Sequence, residues 1–328
     1  MKSSISKSPE QTRKQSITVI GSGIIGLTSA IALQEAGFRV QLYAKEKFGH
    51  TLSHKVGAVW FPYTIEPKKK TDQWAAVSYE RYKEESAYAE GVSMIPFLNS
   101  YKDLSEEEWV KHLPPGTVRE AALSELPNGM EKGLIADVPL AEPPRYLPYL
   151  FGKFLENGGE FELKEFKTLE DLASLDKWVI NCTGLGAREL CRDQDLHPMR
   201  GQILRAEKMN IPSFADPIRK GALTYIINRS QDSIIGGTDY EDDWNEEQDP
   251  KDTQLILGRL KSFGIQSSPQ VIETLVGLRP KRKAVRFEFD EEFPQIFHNY
   301  GHGGAGFTVA WGCALDLAEI LHRKISGE

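Results

Sequence analysis

Ile17-Thr18-Val19-Ile20-Gly21-Ser22-Gly23-Ile24-Ile25-Gly26 is the stretch on which the fold turns. Its first four residues are all β-branched and read as a short buried parallel strand. Three glycines follow at the spacing Gly-x-Gly-x-x-Gly, and a helical pattern through Leu27, Ala30, Ile31 and Leu33 comes directly after them. In that context Gly21 makes the tight turn, Gly23 lets the backbone approach a pyrophosphate, and Gly26 lets helix and strand pack closely. The helix N-terminus then offers unpaired N–H groups to the phosphates. The helix should stop at Gly37, and Phe38 to Tyr43 should form a second strand. This is the opening βαβ unit of a dinucleotide-binding domain.

Working outward, an acid is expected about 20 residues on to hold ribose hydroxyls, and Glu46 is so placed, with Lys45 before it. An acid there disfavours a 2′-phosphate. The fingerprint itself does not separate NAD from FAD, but the continuation does. A dehydrogenase would add βα units at once. This chain instead runs Thr51-Leu52-Ser53-His54-Lys55-Val56-Gly57-Ala58-Val59-Trp60. Hydroxyls followed by small residues suit a backbone lying against a pyrophosphate and then a flat ring; the alternative is a loop entering an edge strand.

From about Thr64 to Leu150 the texture changes to charged helical stretches such as Asp72 to Ala89, with proline turns at Pro114-Pro115 and Pro143-Pro144. A Rossmann-like strand returns at Trp178-Val179-Ile180, followed by Asn181-Cys182-Thr183-Gly184. Gln202 to Arg205, Tyr225 to Asn228 and Ser233 to Ile235 read as antiparallel strands, and Thr253 to Phe263 as a helix. A glycine-rich loop, Tyr300 to Gly306, leads into an apolar helix from Phe307 to Leu321. The fold class is therefore α/β plus antiparallel β: a Rossmann-like FAD-binding domain with an inserted substrate-binding domain. The FAD-binding part is assigned to residues 17–63, 150–203 and 270–328, the substrate-binding part to 64–149 and 204–269, and residues 1–16 to a disordered leader.

Composition narrows the field. With 328 residues, 40% of them hydrophobic and 27% charged, there is material for a sizeable core. A formal net charge of −7 speaks against nucleic acid or an anionic membrane as partner. The Lys68-Lys69-Lys70 cluster is balanced by nearby acids, and no apolar run reaches the roughly 20 residues of a membrane span. Cys182, Cys191 and Cys313 match no zinc or disulfide pattern, and the histidines match no metal site. Without a secretory signal or a C-terminal Ser-Lys-Leu, the expected compartment is the cytoplasm.

Several separated blocks together resemble the D-amino acid oxidase family, which includes D-aspartate oxidase. They are the glycine fingerprint, Gly57-Ala58-Val59-Trp60, Asn181-Cys182-Thr183-Gly184, Arg200-Gly201-Gln202-Ile203, Tyr225-Ile226-Ile227, Gly236-Gly237-Thr238, Gly277-Leu278-Arg279-Pro280 and His298-Asn299-Tyr300-Gly301-His302-Gly303-Gly304. The resemblance spans nearly everything after Ile17. It implies that Arg279 grips the substrate α-carboxylate, that the Tyr225 hydroxyl adds a second bond, and that the Gly304 carbonyl accepts from the amine. A planar, always-charged guanidinium suits the first of these roles. FAD contacts are implied for Gly21, Gly23, Ile24, Ile25 and Gly26, for Lys45 and Glu46, and for Thr51, Leu52 and Ser53. The same holds for Gly57, Ala58 and Val59, for Thr183 and Gly184, and for Arg279. At the C-terminal end it holds for Gly303, Gly304, Gly306, Phe307 and Thr308.

Two departures from the family pattern stand out. The lid segment Asp216 to Thr224 is short and lacks a second tyrosine, and Asp239 stands after Gly-Gly-Thr where other members carry Tyr, Phe or Arg. Asp239, with Arg219 on the lid, is therefore the candidate side-chain selector, disfavouring acidic substrates and favouring neutral or basic ones. The activity implied is oxidative deamination of D-amino acids to imino and keto acids, with ammonia and hydrogen peroxide, by hydride transfer from the α-carbon to flavin N5. Substrate and oxygen are the partners, and a homodimer is compatible with it. A D-aspartate oxidase, a glycine-oxidase-like amine oxidase and, from another class, an NAD-dependent dehydrogenase stay open as alternatives.

Overall fold

The computed structural model describes residues 15–61, 65–101, 110, 113–175, 177–216, 223–265 and 268–327. The opening unit is strand β1 (Ser16–Ile20), helix α1 (Ile24–Glu35) and strand β2 (Arg39–Ala44). Gly37 ends the helix at φ 93°, a left-handed conformation that only glycine adopts without strain. Next come α2 (Lys68–Glu85), β3 (Val92–Ser100), β4 (Val118–Glu120), β5 (Gly133–Ala141), α3 (Pro143–Glu156) and β6 (Glu160–Leu163). Then follow α4 (Leu169–Ala173), β7 (Trp178–Asn181), α5 (Ala187–Leu190), β8 (His197–Glu207) and β9 (Ser213–Asp216). The remainder is β10 (Thr224–Asn228), β11 (Asp232–Gly236), β12 (Tyr240–Glu241), α6 (Pro250–Ser262), β13 (Val271–Phe289), β14 (Ile296–His302) and α7 (Gly306–Ser326).

All fourteen strands of the described residues join one sheet, ordered β4-β5-β3-β9-β10-β11-β8-β13-β14-β7-β1-β2-β6, with β12 paired to β8. One end, β14-β7-β1-β2-β6, is wholly parallel. From β14 outward the pairings are antiparallel, except for β3 with β9. The parallel part is built from separate segments of the chain, and residues 203 and 204 both lie inside β8. Strand β13 likewise pairs with β8 on one side and β14 on the other, so a single sheet runs through both parts.

Two local expectations do not hold. Pro143 and Pro144 do not make a turn: they occupy the first turn of α3, where the missing N–H costs nothing. Arg279 lies inside β13, which continues through Pro280 to Phe289. Ser16 belongs to β1 rather than to a leader, while residues 1–14 lie outside the described residues. Helix α1 is apolar nearly all round, and Leu27, Ala30, Ile31 and Leu33 are fully buried between the sheet and α7. Helices α2, α3 and α7 are fastened by a buried chain in which Trp311 donates to the Tyr146 hydroxyl at 2.8 Å and Tyr146 donates to Glu85. Among the described residues no helix is long and apolar enough to cross a membrane.

Candidate active site

A cavity of about 770 Å³ runs along the sheet from the C-terminal ends of β1, β2 and β7 to one face of β8, β10 and β13. At its parallel end the backbone makes the wall. Gly21 sits at φ 116°, and a Cβ there would overlap the Cys182 carbonyl; a Cβ on Gly26 would overlap the Gly21 carbonyl. Gly26 does not line the cavity itself but lets α1 close onto the turn. The turn is tied to β2 by the Ser22 hydroxyl, which donates to the Glu46 carbonyl at 2.6 Å. The Glu46 side chain is exposed at the rim, and Lys45 beside it pairs with Glu165 at 2.9 Å.

Two helices aim their N-termini at this one space. Neither Gly23 before α1 nor Ala305 before α7 provides a side-chain cap, so first-turn N–H groups face the cavity. Of these, Ile24 N–H is met by the Ser53 hydroxyl at 3.0 Å. The summed helix dipoles make both ends favourable for negative charge. Thr308, in the first turn of α7, donates to the Phe61 carbonyl at 2.7 Å, and the Tyr82 hydroxyl donates to the Phe307 carbonyl at 3.0 Å. The Thr183-Gly184 turn is fixed from behind. Thr183 donates to Asn181 Oδ1 through its hydroxyl at 2.8 Å and its N–H at 3.2 Å, and Asn181 Nδ2 meets His298 Nδ1 at 3.1 Å. His298 Nε2 reaches Asp290 at 2.9 Å, which places the ring proton on Nε2. Burial lowers the His298 pKa, against the pull of Asp290, and keeps the ring neutral.

At the antiparallel end the alternation of the strands puts Phe97, Ala215, Tyr225, Ile203 and Arg279 on the cavity side. Here glycine has another use. A Cβ on Gly236 would overlap the Tyr225 ring and hydroxyl, and a Cβ on Gly201 would overlap the Arg279 guanidinium. Both side chains therefore lie flat across bare backbone, and both reach the Gly236-Gly237-Thr238 segment. Arg279 donates to the Thr238 carbonyl at 3.2 Å. Among the described residues no carboxylate lies within ion-pair distance of it.

The cavity gathers nearly every residue singled out from the sequence: Gly21, Gly23, Ile24, Ile25, Lys45, Glu46, Thr51, Leu52, Ser53, Gly57, Ala58, Val59, Thr183, Gly184, Tyr225, Arg279, Gly303, Gly304, Gly306, Phe307 and Thr308 all line it. Asp239 does not. It follows the end of β11 and is exposed. Arg219 lies outside the described residues. Phe61, Phe97, Ala215, Leu223, Asn299 and His302 line the cavity without having been singled out for it. Phe97 carried no sequence signal, since only its register opposite Ser213 brings it there. Burial pushes His302 down to about 3, with its Nε2 3.6 Å from Cys313 Sγ.

These features fit FAD. The volume lies in the range of roughly 300–1,000 Å³ usual for cofactor sites, the glycine cradle leaves room for a pyrophosphate, and two helix ends favour its charge. Asn299 lines the cavity and is fully buried, and among the described residues its Oδ1 has no hydrogen-bond partner.

Comparison with known proteins gives the same direction. Residues 16–320 match the family described as FAD dependent oxidoreductase (DAO). A D-amino-acid oxidase from Rubrobacter xylanophilus is 37% identical over 94% of this chain and 96% of its own length. Another from Streptomyces coelicolor is 38% identical over 95% of this chain and 98% of its own. The solved L-proline dehydrogenase from P. horikoshii aligns with a TM-score of 0.77 over 95% of this chain and 94% of that one; at 17% identity this likeness concerns the fold.

Proposed function

The chain belongs to the D-amino acid oxidase family of FAD-dependent oxidoreductases, and we propose that it deaminates D-amino acids bearing neutral, apolar side chains. The observation that carries this reading is the Arg279 guanidinium, laid over Gly201 in the cavity wall with Tyr225 beside it and, among the described residues, no carboxylate paired to it. A planar fork of donors held in that way matches an α-carboxylate. The Tyr225 hydroxyl supplies a further donor, and the exposed Gly304 backbone offers its carbonyl to the substrate amine.

Bound FAD supplies two-electron acceptance from the substrate and its discharge to oxygen as hydrogen peroxide. The protein's share is orientation. With carboxylate and amine both fixed, only one face of the α-carbon presents its hydrogen to the cofactor, which selects the D-configuration. No acid–base partner is needed once the amine is neutral. Among the described residues His302 is the one histidine lining the cavity, and at about 3 it is too weak a base to deprotonate an ammonium.

Side-chain choice follows from the apolar wall. Phe61 and Phe97 stand edge to face with centroids 6.1 Å apart, and Ala215 and Leu223 line the cavity with them. The exposed Asp239 gives no support for a preference toward basic substrates.

The test has two arms. Arg279→Ala should keep its FAD and lose roughly 30-fold to several thousand-fold in kcat/KM on D-alanine, the equivalent of about 2–5 kcal/mol. A variant within threefold of wild type removes the carboxylate role. In the second arm, D-methionine and D-alanine should reduce the enzyme faster than D-arginine or D-aspartate under anaerobic conditions; a reversed order ends the side-chain reading.

A further inference from the structure

We propose that Thr238 is a positioning residue, setting the direction in which Arg279 presents its guanidinium to the substrate carboxylate. This rests on the carboxylate reading of Arg279 given above and adds the device that holds that side chain ready. An arginine on a strand has several rotatable bonds, and without a fixed partner its head wanders. Here it is bent back across Gly201 and caught by the Thr238 carbonyl at 3.2 Å.

The nature of that partner matters. A carboxylate would hold Arg279 by its charge and compete with the substrate. A backbone carbonyl takes one of the five N–H donors, leaves the guanidinium charge whole, and leaves four donors for a ligand.

Thr238 can do this only because it is itself immobile. The ladder between β11 and β8 stops at Gly236 opposite Ile203. Beyond it, Thr238 N–H donates to the Gln202 carbonyl at 3.1 Å, and the Thr238 hydroxyl accepts from Gln202 N–H at 2.9 Å. The side chain thus stands in for one more rung of the sheet, and the residue is 2% exposed. Gln202 is fully buried and braced in turn, donating to the Asp249 carbonyl at 2.8 Å and accepting from Asp249 N–H at 2.8 Å. The neighbouring Arg200, 2% exposed, bonds Asp252 at 2.8 Å and the carbonyls of Asn245 and Glu247 at 2.8 and 2.7 Å. The segment after Thr238 is therefore pinned to β8 on both sides of Gly201.

Thr238→Val keeps the shape and removes the acceptor; Thr238→Ser restores it. Propionate, a carboxylate without an amine, is titrated into each holoenzyme by calorimetry, and kcat and KM are measured for D-alanine. Thr238→Val is expected to raise the propionate Kd and the D-alanine KM about 10-fold with kcat little changed, as for a hydrogen bond to a charged group that loses its alignment. Thr238→Ser should stay within about twofold of wild type. In an Arg279→Ala background the valine substitution should add nothing to the loss in kcat/KM, because its effect passes through the arginine.

A silent Thr238→Val beside a defective Arg279→Ala overturns this proposal alone. So does an equal Thr238→Val effect in the Arg279→Ala background, which marks a merely structural role. Wild-type propionate binding by Arg279→Ala overturns the carboxylate reading and this proposal with it. Should Thr238→Val not fold, Gly201→Ala takes its place: its Cβ evicts the guanidinium from its seat, the same two constants should rise about 10-fold, and wild-type constants overturn the proposal.

Discussion

At the parallel end of the sheet the glycines let backbone close on backbone beside the cofactor space; at the antiparallel end they make room for two side chains that face the ligand. Gly21 and Gly26 are bare so that a turn and a helix can close on one another and leave room for a pyrophosphate. Gly201 and Gly236 are bare so that Arg279 and Tyr225 can lie down on the sheet. The first arrangement reads only the phosphate charge and backbone shape that many dinucleotides share. The second carries the side chains that tell one substrate from another. A substitution in the first should therefore cost the cofactor and the fold together, while one in the second should spare both and cost the substrate.

Gly26→Val tests the first half of that contrast and should have the largest effect. Its side chain would collide with the Gly21 carbonyl in a fully packed interior, so a loss of at least about 3 kcal/mol is expected, with overpacking and a broken cofactor turn acting together. The purified variant should be colourless near 450 nm and should unfold at lower urea than wild type. A yellow variant with an unchanged midpoint would remove the steric account of the fingerprint.

Gly236→Ala tests the other half with a smaller effect. The added methyl meets the Tyr225 ring and turns the hydroxyl away, so kcat/KM on D-alanine should fall about 10-fold, as for Tyr225→Phe. FAD content should match wild type. If the variant loses FAD instead, the two halves of the cavity are not separable and the contrast fails.

The smallest effect concerns the seam between the halves, where His302 ends β14. Its pKa in the folded protein is held at about 3 by burial, against an ordinary value of 6.5, so as pH falls the unfolded chain takes the proton first. The neutral ring's contribution is whole above about pH 6.5 and is withdrawn on the way down to 3, about 2 kcal/mol of it by pH 5. His302→Gln should flatten the fall in stability between pH 7 and 5, measured by urea denaturation. An unchanged fall would place the acid sensitivity in other groups.

Legibility in the sequence divides along the same line. The β1-α1-β2 unit is local: its strand, glycines and helix lie within about thirty residues, and each residue type has a physical reason to be where it is. Trp178 to Asn181 could be read as a returning strand because it is a short apolar run before a polar turn. The antiparallel wall is different. Gly201, Gly236 and Arg279 come together only through the pairing of β8 with β11 and β13, and nothing in the neighbours of Gly201 announces that a guanidinium will rest on it. Their blocks could be recognised by resemblance, but the use of each glycine could not. Asp239 is a third case: its place after Gly-Gly-Thr suggested a pocket residue, and in the structure it stands exposed beyond the end of β11 and outside the cavity lining.

The meeting of α1 and α7 has a consequence for how the molecule is made. The Thr28 hydroxyl reaches the Ala310 carbonyl across 282 residues of chain, and between them these two helices present their N-termini to one cavity. During synthesis β1 emerges long before β7 and β14, its neighbours on the way to the antiparallel half. Until residue 302 has been made, the apolar strand core stands half-built, and until α7 has folded the cavity lacks one of its two charged ends. Pairings of such long range form late, because the chain between them must first be ordered. The cavity is therefore complete only once α7 has packed against α1, and a nascent chain that stalls before α7 holds an unfinished site.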